Sequence, residues 1–138
     1  MVLPQETVLI VGASGRQGCS IANELLKTQK CTVRGMTRDP NKSTCKDLSR
    51  RGLQLVQGDL SNPATLKDAF QGVTTAFILT DFWDKSSQVT ELDQGINAIQ
   101  AAANAGVRNI VYRCGRNAHE RTHAPRVTDG VSYARLMY

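Results

Sequence analysis

A doubly wound, parallel α/β sheet is the fold class this sequence predicts, on three observations. The apolar run Val8, Leu9, Ile10, Val11 stops abruptly at a turn containing Gly12, Gly15 and Gly18. Four further apolar runs follow at 31–37, 53–57, 75–80 and 109–112. Each gap between runs is long enough for a helical crossover, which makes neighbouring strands parallel. Winding outward from the first strand in both directions gives the order 3-2-1-4-5.

The first run shows no polar alternation, as expected of a strand covered by helices on both faces. Glycine at 12, 15 and 18 lets the backbone bend, approach a phosphate and pack a helix hard against the strand. Ile21, Ala22, Leu25 and Leu26 mark the apolar face of that helix, whose free N–H groups point at an anion. The stretch reads as a pyrophosphate site, with GxxGxxG in place of the more usual GxGxxG. Glycine-rich strand-to-helix turns also occur without a ligand, so the second strand, Cys31 to Thr37, has to weigh the two readings. A ribose-reading residue is expected about 20 positions past the glycines. Arg38 stands there. An acid would hydrogen-bond the 2′-hydroxyl of NAD, whereas arginine pairs with the 2′-phosphate of NADP. Asp39 follows, suited to capping the coming turn, and a solvated loop charge is the bland alternative for Arg38. The combination favours NADP.

Beyond Pro40, residues 42–51 form a short helix with Cys45 and Leu48 inward, and Arg50, Arg51 and Gly52 suit its end. Leu53 to Gln57 is the third strand, running into Gly58, Asp59 and Leu60. Ser61 or Asn62 caps the next helix, with Pro63 at its first position and Leu66, Ala69 and Phe70 inward. Gly72 closes it, and Thr75 to Thr80 is the fourth strand, with Asp81, Phe82, Trp83 and Asp84 just past its end. The longest helix covers 86–105 with an apolar stripe of Leu92, Ile96, Ile99 and Ala103, and Gly106 ends it. Asn109 to Tyr112 is the fifth strand. Ligands of such sheets bind beyond the strand C-termini at the switch point between strands 1 and 4, where Gly12–Gly18 and Thr80–Trp83 converge.

At 138 residues the chain is about one domain, short for a complete dinucleotide-dependent enzyme. No run is apolar enough to cross a membrane and no signal region opens the chain, so the expected address is the cytoplasm, with the nucleus open to so small a chain. Cys19, Cys31, Cys45 and Cys114 show neither CxxC nor paired metal-ligand spacing and read as free thiols. Cys19 lies in the first turn of the helix after the glycines, where the dipole lowers a thiol pKa; a redox role stands beside the more ordinary reading of a small packed side chain. From 113 to 138, five arginines against two acids carry +3 of the net charge of +5. That stretch lacks aromatic interleaving, so it reads as a solvated tail and no specific nucleic-acid recognition is expected. Residues 114–138 have no helix or strand period and are expected to form an irregular basic tail. His119 and His123 stand four apart, but Pro125 follows and no third ligand is at hand, so no metal is expected.

VLIVGASGRQG, TRDPNK, VQGDL and FILTDFW, in that order, resemble the NmrA-like family of atypical short-chain dehydrogenases over about residues 6 to 112. The resemblance implies a Rossmann-like NAD(P)-binding domain over 1–113. Gly12, Ala13, Ser14, Gly15, Arg16, Gln17 and Gly18 would cradle the pyrophosphate. Arg38, helped by Lys42, would take the 2′-phosphate of NADP, and Asp59 with Leu60 would bound the adenine. Thr80, Asp81 and Phe82 would line the path toward the nicotinamide. It further implies an NADP(H)-binding, redox-sensing regulator that works through protein partners, in transcriptional control by family association, with a homo-oligomer left open. Many members lack the Tyr-x-x-x-Lys pair of the catalytic dehydrogenases. Here Tyr112 is followed four residues on by Arg116 and Tyr133 by Met137, and no catalytic residue is assigned. Members continue past the fifth strand with further cofactor contacts and a small C-terminal domain. Against that pattern the chain reads as a C-terminally truncated paralogue, its sheet ending after the fifth strand with an unprotected edge. Two other functions stand beside the regulator: an NADPH-dependent reductase completed by a partner chain, and a cofactor-free interaction module that retains a relic fold.

Overall fold

The structure, a computed structural model, describes residues 5–79, 91–114 and 132–137. Strand β1 (Thr7–Val11) lies between β2 (Thr32–Thr37) and β4 (Thr75–Leu79), with β3 (Gln54–Gln57) outside β2 and β5 (Asn109–Cys114) outside β4. All of these pairs are parallel. The order 3-2-1-4-5 read from the sequence is therefore the order of the sheet.

Side chains of a strand alternate between faces, and β1 uses both. Leu9 and Val11 enter one core with Phe70, Ile78, Ala98 and Ile110, while Ile10 enters the other with Ala22, Val33 and Leu48. Helices α1 (Arg16–Thr28) and α2 (Ser43–Arg50) cover the Ile10 face, and α3 (Leu66–Phe70) and α4 (Glu91–Asn104) the Leu9 face. The helix after β3 begins as a 3₁₀ turn at Pro63, and Asn62 is its cap, its side chain accepting from the Ala64 N–H at 3.3 Å. Among the described residues no helix is long and apolar enough to cross a membrane. Cys19, Cys31 and Cys45 are free thiols. Burial, reinforced by the Glu6 carboxylate, pushes the Cys31 thiol up from its ordinary range.

Two expectations are corrected. The tail is not irregular throughout: β6 (Ser132–Met137) pairs in parallel with β5, from Asn109↔Ser132 to Cys114↔Met137, so the sheet continues past its fifth strand and that edge of β5 is covered. The reason is that an open strand edge carries unpaired N–H and C=O groups, which a distant segment satisfies without any apolar period of its own. The buried stripe of α4 also differs. Ala98, Ile99 and Ala102 are buried with Gly95 and Gln94, whereas Ala103 is exposed. Small residues bring this helix close to the sheet: a Cβ at position 95 would lie 2.6 Å from the Tyr112 hydroxyl. Leu92 and Cys114 have no described side chain, and His119 and His123 lie outside the described residues.

One side chain ties the two halves of the sheet's α3 face together. Arg34 is in register with Leu9 and so points toward α3, where its Nη1 donates to the carbonyls of Ala69 (3.1 Å) and Gln71 (2.6 Å). Charge-assisted bonds of this kind are worth about 1.5–3 kcal/mol, and a cation at a helix C-terminus adds to them. Arg34→Ala is accordingly expected to lower stability by about 1–3 kcal/mol in urea unfolding with an unchanged m-value. A midpoint within error of wild type would show that solvent replaces the bond without loss.

Candidate functional site

The glycine turn is built by backbone alone. Gly12 leaves β1 at φ 84°, a left-handed conformation that a side chain rarely allows. Its N–H and that of Ala13 donate to the Met36 carbonyl at 3.2 and 3.4 Å, and the Gly15 N–H returns to the Gly12 carbonyl at 3.1 Å. Gly18 is buried against this turn: a Cβ there would stand 2.1 Å from the Gly12 oxygen and 2.8 Å from the Ala13 Cα. Helix α1 therefore starts directly over the end of β1. Its N-cap is Gly15, which supplies no side-chain acceptor, and its first turn holds no acid. Helix N-termini carry orphan N–H groups and a partial positive charge, so such an end suits an anion. Ser14 is half-buried and Arg16 and Gln17 are exposed at the mouth, whereas the Ala13 side chain is fully buried beneath and offers the site backbone only.

Arg38 follows the last residue of β2 and is exposed, as is Lys42 at the start of α2. Asp39 between them is committed to the turn: its Oδ1 accepts from the Asn41 N–H (3.0 Å), and its carbonyl accepts from the Lys42 N–H (3.5 Å) and the Cys45 thiol (3.7 Å). The turn thus engages one oxygen of the nearest acid and leaves the two cations exposed on either side of it. Across the β2–β3 edge, the Gly58 N–H donates to the Thr37 carbonyl at 3.0 Å, which brings Asp59 and Leu60 up beside the Arg38 loop. Asp59 is half-buried and its Oδ1 accepts from the Ser61 N–H at 2.8 Å. The Leu60 side chain is buried in the core under α3 and α4.

At the end of β4, the Leu79 carbonyl lies 3.5 Å from where a Gly12 Cβ would be, so this strand reaches the glycine turn as the switch-point argument requires. Thr80, Asp81 and Phe82 come next in the chain and lie outside the described residues. Two residues of α4 that the sequence reading passed over also reach this region. Gln94 Nε2 donates to Ser61 Oγ (3.2 Å) and Asn97 Nδ2 to the Leu60 carbonyl (2.8 Å). Their signal was available: two amides a turn apart beside an otherwise apolar helix face.

A parallel sheet of order 3-2-1-4-5, with a glycine turn and an uncapped helix N-terminus at its switch point, defines the class of Rossmann-like NAD(P)-binding folds. The NmrA-like family model matches residues 4–129, and the chain belongs to that family. The match runs past the fifth strand into the stretch read as tail. Among curated relatives, the NmrA-like family domain-containing oxidoreductase ptmS of Penicillium ochrochloron is 37% identical over 128 residues, covering 88% of this chain. The chain spans only 38% of that relative's length. The triphenylmethane reductase of Citrobacter sp., solved with NADP(H), is 26% identical with a TM-score of 0.66, over 87% of this chain and 41% of the other. NmrA, a negative transcriptional regulator crystallised with NADP, aligns with a TM-score of 0.78 at 21% identity, over 96% of this chain and 45% of its own. The same regulator has also been solved with NAD.

Proposed function

We propose that the chain binds NADP(H) and acts as a redox-responsive regulatory protein through protein partners, itself or a second copy included. The observation that carries the cofactor is the pairing of an uncapped, acid-free α1 N-terminus with exposed Arg38 and Lys42, while Asp39 is committed to its own turn. In this reading the Gly12–Gly18 backbone and the first-turn N–H groups hold the pyrophosphate. Arg38 and Lys42 hold the 2′-phosphate, and Asp59 with Leu60 bounds the adenine. When bound, the reduced cofactor supplies a hydride at its nicotinamide ring. The regulatory half of the proposal rests on the family resemblance and on Tyr112 and Tyr133 having no lysine four residues on. Binding energy at the glycine turn and the Arg38 loop would favour one conformation of the surrounding surface, which a partner then reads. Cytoplasm and nucleus are the compartments that fit such a role.

A second reading, an NADPH-dependent reductase whose site is completed by a partner chain, is favoured by the names of the relatives: ptmS is called an oxidoreductase, and the Citrobacter protein is a reductase. Thermal unfolding with NADPH, NADP and NADH tests the shared premise. A ligand at a hundred times its dissociation constant adds about 2.7 kcal/mol, so NADPH and NADP should raise the melting temperature by several degrees and NADH should not. NADPH oxidation against carbonyls and quinones then separates the two. Turnover supports the reductase; a chain that binds without turnover, and whose partner binding responds to NADPH, supports the regulator. A melt indifferent to all three nucleotides removes both in favour of a cofactor-free interaction module.

A further inference from the structure

Gln94 is an anomaly in its setting. It is only 7% exposed, on a helix face that it shares with Gly95, Ala98 and Ala102. A buried amide is costly unless hydrogen-bonded, and leucine would pack there at no such cost. Gln94 and Asn97 both reach back to one loop, through Ser61 Oγ at 3.2 Å and the Leu60 carbonyl at 2.8 Å. Much of that loop's remaining polar backbone is satisfied locally. The Asp59 N–H donates to Thr65 Oγ1 (2.9 Å), the Ser61 N–H to Asp59 Oδ1 (2.8 Å) and the Asn62 N–H to the Asp59 carbonyl (2.9 Å). The amides therefore fix the loop from the α4 side, while its own turn aims the Asp59 carboxylate.

We propose that Gln94 and Asn97 are positioning residues for adenine specificity. The inference rests on the cofactor reading above. Gln94 holds Ser61, the Ser61 N–H orients the Asp59 carboxylate, and Asn97 holds the Leu60 backbone between them. A carboxylate has acceptor sites beyond the one its turn occupies, and these suit the 6-amino group of adenine. Hypoxanthine carries a carbonyl oxygen at that position, which faces the carboxylate unfavourably. A loop released from α4 loses the aim of Asp59 and with it the discrimination between the two bases.

Isothermal titration of NADPH and of its hypoxanthine analogue, into the wild-type chain, Asn97→Leu and Ser61→Ala, tests this. The wild type is expected to bind NADPH about tenfold more tightly than the analogue, the weight of one well-placed hydrogen bond to a charged group. Both variants are expected to bring the ratio to about threefold or less by weakening NADPH alone. Ser61→Ala leaves α4 unaltered, so it reads the same link if Asn97→Leu does not fold. Equal weakening of both nucleotides, an unchanged ratio, or a wild type indifferent to the base overturns the positioning role while leaving the cofactor reading in place. A wild type that binds neither nucleotide overturns the cofactor reading itself, and the positioning role with it.

Discussion

Gly18→Ala is expected to destabilise the domain by about 3 kcal/mol or more and to abolish measurable NADPH binding. A methyl group at this position would fall 2.1 Å from the Gly12 oxygen, 2.8 Å from the Gly12 carbonyl carbon and 2.8 Å from the Ala13 Cα. All three are backbone atoms, so no rotamer change relieves the overlap. The turn cannot yield either, because the Gly12 and Ala13 N–H groups are bonded to the Met36 carbonyl and Gly15 N–H to the Gly12 carbonyl. The remaining route is for α1 to lift away. That opens the core around Ile10, Ala22 and Leu48 and carries the helix N-terminus out of line with the turn. Chemical denaturation and isothermal titration read the two effects. A useful control is Gly72→Ala, at φ 74° with nothing within 4 Å of the added carbon, which carries only local strain of about 1 kcal/mol and should leave binding intact. Wild-type stability in Gly18→Ala would mean that α1 does not sit on the turn.

The second large effect is expected at Arg38. Arg38→Glu should weaken NADPH by about 10- to 100-fold, the loss of a charge-assisted bond, and leave NADH unchanged or slightly tighter. Asp39 has one carboxylate oxygen engaged by the Asn41 N–H within the turn. The introduced carboxylate would repel the 2′-phosphate and suit the 2′-hydroxyl. Added salt should shrink the wild-type preference for NADPH, since Arg38 and Lys42 are both exposed and their field is screened over about 10 Å at 0.1 M. Equal loss of NADPH and NADH in the variant would place Arg38 in the fold rather than in recognition. The partner reading has its own check: if Arg38→Glu leaves partner binding as sensitive to NADPH as before, cofactor occupancy is not what the partner reads.

Features set by short-range constraint were legible along the chain. The unalternating run at Val8–Val11 could only be a strand buried on both faces, and Leu9 and Ile10 do enter opposite cores. Crossover lengths left one economical winding, which the sheet adopts. Gly12 and Gly18 were legible because a left-handed turn and a helix pressed onto backbone each exclude a side chain. Arg38 stood out because the loop after the second strand lies at a fixed distance along the chain from the glycines, whereas Lys42 came only with the family resemblance.

Tertiary structure decided what depends on partners far apart in the chain. No period in residues 132–137 announced β6, since its reason for pairing is the open edge of β5 and not a pattern of its own. The inward face of α4 was misjudged at Ala103 because the helix is placed by close approach of Gly95 to Tyr112, which favours small residues that carry little hydrophobic signal. Arg34 gave no hint of its role until the α3 carbonyls at 69 and 71 were brought over β2. Gln94 and Asn97 bond to residues 33 and 37 positions away, and only packing of α4 beside the Asp59–Ser61 loop makes two ordinary helix amides the anchors of that loop. Local backbone chemistry is written along the chain, whereas satisfaction of buried polar groups is settled only when distant segments meet.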